Sequence, residues 1–335
     1  MKAQFSSLAL AFIVAVVSTN GQDVSLPDGR SSALLIYHPA SKGLLLFDGY
    51  QIHPDSARND VWKWDGKHWE RMEVQGPESR NLSAGDLNRN TGNIQIFGGI
   101  GRGGYEKSTK GDSWSFNGRK WSSVQTNNIG TRDHHKMVYA DHLNAFVLYG
   151  GQNSKREFDS TTWLLKGKQF IPLNIEGPGV RYHFGMAYDR SRKRIVLYGG
   201  GRASHRKELW EFDGNLWVKI NTPEGPGAKL RHNLVYADHL KMVVLHGGYE
   251  LTNGWTWGWD GKNWRKIAEN GPKGDLQGLG YDPARKAIVA YGGNDENGLL
   301  TSRLWELIDG EWKKISDNGF WRWHEDRFQR IDDKN

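Results

Sequence analysis

Six times between about residues 30 and 316 the chain repeats one spacing, and that repeat constrains the fold more than any other feature. An aromatic residue closes an apolar run at Tyr37, Tyr139, Tyr188, Tyr236 and Tyr281, with Leu87 as the exception. Eleven residues later stands a glycine pair or its variant: Asp48-Gly49, Gly98-Gly99, Gly150-Gly151, Gly199-Gly200, Gly247-Gly248 and Gly292-Gly293. Then, after a gap of 10 to 16 residues, comes a tryptophan, followed seven residues on by another aromatic: Trp62 and Trp69, Trp114 and Trp121, Trp163 and Phe170, Trp210 and Trp217, Trp257 and Trp264, Trp305 and Trp312. The period is 45 to 52 residues, which is the range of repeat architectures rather than of separate domains.

Each unit reads as four strands. In the fourth, "MAYD" alternates, "RIVLYGG" is apolar almost throughout as a strand buried on both faces must be, and "ELWEFDG" and "LWVKI" follow. The turns between the last two strands mostly carry Asn-Gly or Asp-Gly, residues that tolerate the positive φ of a tight hairpin. Sixteen Trp, 12 Tyr and 12 Phe beside 42 Gly and only 10 Pro supply the strand formers and the turns. Four-stranded units at this period predict an all-β, six-bladed β-propeller, each blade burying its faces against its neighbours. The units fall at about 30–79, 80–131, 132–180, 181–228, 229–273 and 274–316, in a single domain over 22–335 with a C-terminal tail over 317–335.

The pattern of Arg, two residues, His, a strand ending in Tyr, a second strand ending in Gly-Gly, and a Trp seven before another aromatic resembles the kelch repeat, in its bacterial form with "WDG..W" hairpins. The resemblance covers essentially the whole chain after its first residues. It implies a six-bladed propeller and much less about chemistry, since kelch propellers serve as binding platforms, as carbohydrate-oxidising domains and as sugar epimerases. The copper-dependent oxidising branch uses a further domain and a cross-linked cysteine, and this chain has no cysteine at all. No cofactor and no metal are expected.

The first residues, "MKAQFSSLALAFIVAVVSTNGQD", carry one Lys, a ten-residue apolar core from Leu8 to Val17, and then small polar residues. That core is too short to span a bilayer, and the segment reads as a secretory signal over 1–21, cut near Gly21 or Gln22. The expected location is secreted or periplasmic, with no membrane span in the mature chain. The absence of cysteine removes disulfides and thiol chemistry, and in an exported chain it favours a bacterial source. A formal charge of +7 draws acidic partners, which outside the cytoplasm are expected to be an acidic glycan or protein rather than nucleic acid.

Strand directions place the connections between second and third strands on the same face as the starts of the first strands. Those connections vary in length while the turns of the opposite face do not, and recognition usually sits where otherwise equal copies differ. The candidate ligand-binding residues in them are Arg102, Tyr105, Arg156, Glu157, Arg202, His205, Tyr249 and Glu250. Seven before each landmark aromatic stand Arg30, Arg80, Arg132, Arg181 and Lys229, with Gly274 in the sixth unit, a set that would form a cationic ring suited to carboxylate, sulfate or phosphate. Arg231 lies two places later, and His134, His183 and Arg231 share a position whose side the pattern leaves open; His135 and His232 read as structural histidines.

No catalytic motif survives its context. The G-x-G-x-x-G of Gly99, Gly101 and Gly104 follows a strand but opens no helix. H-E-x-x-H, a phosphate-binding loop and G-x-S-x-G are absent, and the adjacent Asp-Gly hairpins differ from sialidase aspartate boxes, in which the two are separated. The leading expectation is a non-catalytic binding module for an extracellular glycan or protein on the loop-rich face. The alternatives are an epimerase or lyase acting on an acidic sugar, and a structural component of a cell-surface assembly. Ring closure is open at this stage: the seam meets edge to edge, or "QDVSLPDG" or the tail "FWRWHEDRFQRI" crosses it.

Overall fold

The computed structural model describes residues 26–50, 57–102, 105–201, 206–222, 224–249, 253–317, 320–324 and 327–331; the expected signal segment lies outside them. Six four-stranded antiparallel sheets form a six-bladed propeller, each from one contiguous stretch of chain in simple up-and-down order. The inner strands are Leu34–His38, Ala84–Asn88, Lys136–Ala140, Gly185–Asp189, His232–Ala237 and Gly278–Asp282. In blade 4 they are followed by Arg194–Tyr198, Leu209–Phe212 and the outer strand Trp217–Ile220.

Second strands such as Ala145–Tyr149 and Ala287–Tyr291 are buried at every position, because neighbouring blades cover both faces. The buried apolar side chains form six clusters, one at each interface between blades, including that between blade 6 and blade 1. The hairpin tryptophans stitch these interfaces as well as filling them. Trp217 donates to Thr162 Oγ1 of the preceding blade at 2.8 Å, and Trp64 of blade 1 donates to Glu306 of blade 6 at the same distance.

The glycine pairs close the ring. In every blade the N–H of the second glycine donates to the carbonyl seven residues before the next landmark aromatic: Gly49 to Arg80, Gly99 to Arg132, Gly151 to Arg181, Gly200 to Lys229, Gly248 to Gly274 and Gly293 to Arg30, at 2.8 to 3.1 Å. A Cβ on Gly99 would stand 2.7 Å from Asn81 O, so at φ +99° only glycine fits there. The sixth bond equals the other five, so the seam closes edge to edge, with no strand exchanged between termini among the described residues. Residues 26–29 take the part of the connection that precedes every other blade: Tyr291 Oη donates to Pro27 O at 2.5 Å, as Tyr198 Oη does to Gly227 O at 2.6 Å. Phe320–His324 and Arg327–Ile331 form a hairpin that pairs with Leu300–Thr301, the connection of blade 6 itself. Among the described residues no helix is long and apolar enough to cross a membrane.

Candidate functional site

The connections and the inner-strand starts do share one face, tied by bridges between Ser31 and Tyr50, Asn81 and Ile100, Asp133 and Gln152, Tyr182 and Gly201, and Asp275 and Asn294. The expected cationic ring is not presented there. Arg30, Arg80 and Arg181 are fully buried and Arg132 nearly so, each inside its own blade. Arg30 pairs through two bonds with Asp60 at 2.7 and 3.0 Å, and Arg80 with Asp112 at 2.8 and 2.9 Å. Arg132 pairs with Asp159 at 2.6 Å and Arg181 with Glu208 at 3.1 Å. All four also donate Nη1 to the carbonyl of the first residue of the glycine pair. A guanidinium has a fixed set of donors, and these point into the protein. The ring staples the start of the inner strand to the start of the third strand. Burial pushes the Asp60 carboxyl up, but the charge and hydrogen bonds of Arg30, aided by Trp62, outweigh it and hold it at about 2. Lys229 lies at the equivalent backbone place, half-buried.

The loop candidates divide. Arg102, Arg156 and Glu157 are exposed, Glu157 accepting from Asn153 Nδ2 at 2.8 Å. Tyr249 is half-exposed, with the Arg231 guanidinium 5.6 Å from its ring centre. Tyr105 lies in a short helical turn, Tyr105–Ser108. Arg202, His205 and Glu250 fall outside the described residues, as does the side chain of Tyr105.

What the sequence left open becomes the mouth of a central channel. Ser32, Leu82, His134, His183, Arg231 and Leu276 occupy one equivalent position in the six blades, all with φ between +55° and +59°. Their backbones join neighbouring blades in an inner collar, with Arg231 N donating to His183 O, Leu276 N to Arg231 O and Ser32 N to Leu276 O at 2.8 to 3.0 Å. The backbone is equal and the side chains are not. Blades 3, 4 and 5 contribute imidazoles and a guanidinium; blades 6, 1 and 2 contribute Leu276, Ser32 and Leu82.

On the polar half an array of rings runs along the rim. Phe158 and Tyr182 lie 5.6 Å apart, Tyr182 and His134 5.7 Å, and His134 and His183 4.5 Å. His134 Nδ1 is bonded to the buried Asp133, and Arg231 pairs with Asp275 at 3.3 Å. Burial, then the charges of His134, Arg231 and Lys136, hold the His183 imidazole down at about 2, so it is a neutral ring near neutral pH. His135 and His232 sit deeper at blade interfaces. Both are buried and held below the ordinary range, His232 with Nε2 3.1 Å from Tyr198 O.

Below the mouth the channel encloses about 330 Å³ and ends at the opposite face among Tyr37, Tyr188, Tyr236 and Tyr281. There His142 stacks on Tyr188 and His239 on Tyr281, while Arg89 pairs with Asp141 at 2.8 Å. That face is built from such intramolecular pairs, in keeping with its constant turn lengths.

No known protein family and no curated protein matches the chain in sequence. A solved structure titled "Structure of YjhT" is similar, with a TM-score of 0.65 at 12% identity, covering 86% of this chain and 99% of that one. At that identity the likeness carries the propeller architecture and no chemistry.

Proposed function

We propose that this is an exported, kelch-like propeller that binds an extracellular glycan or protein at its loop-rich face without catalysing a reaction on it. The observation that carries the reading is the half-collar of rings over blades 3 to 5, Phe158, Tyr182, His134 and His183, standing on a six-fold equal backbone and opposed by the uncharged Leu276, Ser32 and Leu82. Structural duty alone would not call for unlike side chains on one repeated conformation. Aromatic faces accept the C–H faces of sugars or the side chains of a peptide, and the two leucines opposite offer them an apolar surface. The exposed Arg102, Arg156 and Glu157 lie in the connections of blades 2 and 3 beside it and would read charge on the same ligand. The leader segment supports export; the registered repeats support the kelch relationship.

A glycan array and a pull-down from extracellular extract, run with the wild type, Tyr182→Ala and Arg156→Glu, test the reading. A ligand that Tyr182→Ala weakens by about tenfold or more, as loss of a central aromatic anchor does, supports it. A ligand held equally by all three proteins removes the rim from consideration.

A further inference from the structure

The channel beneath the mouth has a charge imbalance that the rim reading does not use. Its lining includes four full cations, Arg89, Lys136, Arg190 and Arg231, and one carboxylate, Asp86. Three of the cations have carboxylate partners at the two faces: Arg89 with Asp141, Arg190 with Asp238 and Arg231 with Asp275. Asp86 accepts from Tyr139 N at 2.8 Å and lies 3.8 Å from Arg89. Lys136 alone among these four has no carboxylate within ion-pair distance among the described residues. Its Nζ crosses from blade 3 to donate to Asn233 Oδ1 of blade 5 at 2.8 Å. Asn233 is oriented for this because its Nδ2 donates to Gln277 O at 2.5 Å. The place in blade 4 equivalent to Lys136 is Gly185, and that in blade 6 is Gly278; each packs against the next blade, Gly185 against His232 and Leu234 and Gly278 against Ala33 and Leu35.

We propose that the central channel binds a small anion, a carboxylate or an inorganic oxyanion, at the Lys136 ammonium, two residues below the loop-face mouth. Lys136 is half-buried, and an ammonium partly withdrawn from water without a counter-charge is costly, a cost that an anion entering the channel offsets. Burial brings the Lys136 ammonium down to about 8. The titratable groups around it are His134 and His135 of its own blade, His183 of blade 4, and His232 and Arg231 of blade 5; its charge in turn holds His135, His183 and His232 down. The imidazoles of His135, His183 and His232 are therefore neutral above pH 6, and Lys136 supplies the switching charge. An anion bound there favours the protonated lysine, so binding is present below pH 8 and fades above it. None of this depends on what the rim recognises.

The test is the thermal midpoint of the full chain, titrated with potassium formate, acetate or phosphate at pH 6.5 and pH 9.5, for the wild type, Lys136→Met and Lys136→Gln. The expected result is a saturable rise of a few degrees at pH 6.5 in the wild type only, reduced at pH 9.5. Rises with formate and acetate alone assign a carboxylate; a rise with phosphate alone assigns an oxyanion. No wild-type rise, or an equal rise in both variants, overturns the proposal. Tyr182→Ala, which tests the rim, should leave the anion response intact, so either reading can fail without the other. Lys136→Gln keeps a polar side chain of similar length, should Lys136→Met fail to fold.

Discussion

The residues that look most like a ligand site in the sequence, the arginines at the inner-strand starts, are internal staples, and Arg30 shows the consequence. Its guanidinium is wholly buried against a carboxylate whose side chain is 17% exposed. Removing one partner of a buried pair typically costs about 3–5 kcal/mol, because the other charge remains. Arg30→Met should therefore lower the urea midpoint well beyond a surface substitution, and Arg30→Lys should recover only part of it, since an ammonium cannot make the two parallel bonds. The pH dependence follows from Asp60, held at about 2 in the folded state against 3.8 ordinarily. A carboxyl depressed by folding stabilises above its unfolded value and loses that contribution as pH falls through the folded one, a difference of about 2 kcal/mol. The gap between wild type and Arg30→Met should be full above pH 5 and narrow from pH 4 towards pH 2.5; a constant gap would show that the ion pair is not what Arg30 contributes. A signal for this role was present in the sequence. Asp60, Asp112 and Glu208 each stand two residues before the first tryptophan of their unit, Asp159 stands four before, and all four occur in units that carry the arginine. What one-dimensional spacing lacked was the distance across the intervening loop.

At the scale of strands and blades, the landmarks that defined the repeat are the contacts that join neighbours, which is why the architecture was legible and the mouth was not. In blades 2 to 5 the first residue of the glycine pair faces the residue four before the next landmark aromatic. A Cβ on Gly150 would lie 2.7 Å from the Phe184 ring, and one on Gly98 would lie 3.0 Å from His135 Cε1. Blade 1 reverses the sizes: Asp48 takes the glycine place at φ +61°, and Ser83 across the interface is small and hydrogen-bonded to it. Large faces small in either order. Ser83→Phe should overfill this interface and cost about 1–3 kcal/mol. Asp48→Gly with Ser83→Phe restores the pairing found between blades 3 and 4, so the double substitution should recover most of that loss. The coupling in a double-mutant cycle should be about 1 kcal/mol or more, and additive effects would refute size matching as the rule here. The ring of His134, His183 and Arg231 obeys no such rule. Its positions are equal in backbone and free in side chain, so no repeat pattern reveals which way they point.

For the whole molecule the decisive feature is that closure is non-covalent at one interface only. Blades 1 to 6 are joined in sequence, and blade 6 meets blade 1 through the bond from Gly293 N to Arg30 O, the cluster around Leu35, Trp69 and Tyr291, and the network in which Arg285 joins Asp282 and Glu306 and Trp64 donates to Glu306. The same network recurs inside the chain, where Arg192 joins Asp189 and Glu211 and Trp259 donates to Glu211. Interfaces of equal chemistry differ only in the tether, so transient opening should begin at the untethered one. Tyr291→Phe and Tyr198→Phe delete the same kind of bond, from a phenol to a carbonyl of the chain leading into the next blade, at the seam and at an internal interface respectively. Each should lower global stability by a similar amount, about 1–2 kcal/mol. Native-state hydrogen exchange should separate them. Tyr291→Phe should speed the amides of Ser32 and Gly293, which bond across the seam to Leu276 O and Arg30 O, while those of Gly200 and Arg231 between blades 4 and 5 keep their protection. Tyr198→Phe should release no amides locally, because the connection through Gly227 still holds blade 5 in place. Equal local release in both variants would mean that the ring opens at any interface and that the shared backbone collar, rather than the chain connections, governs its opening.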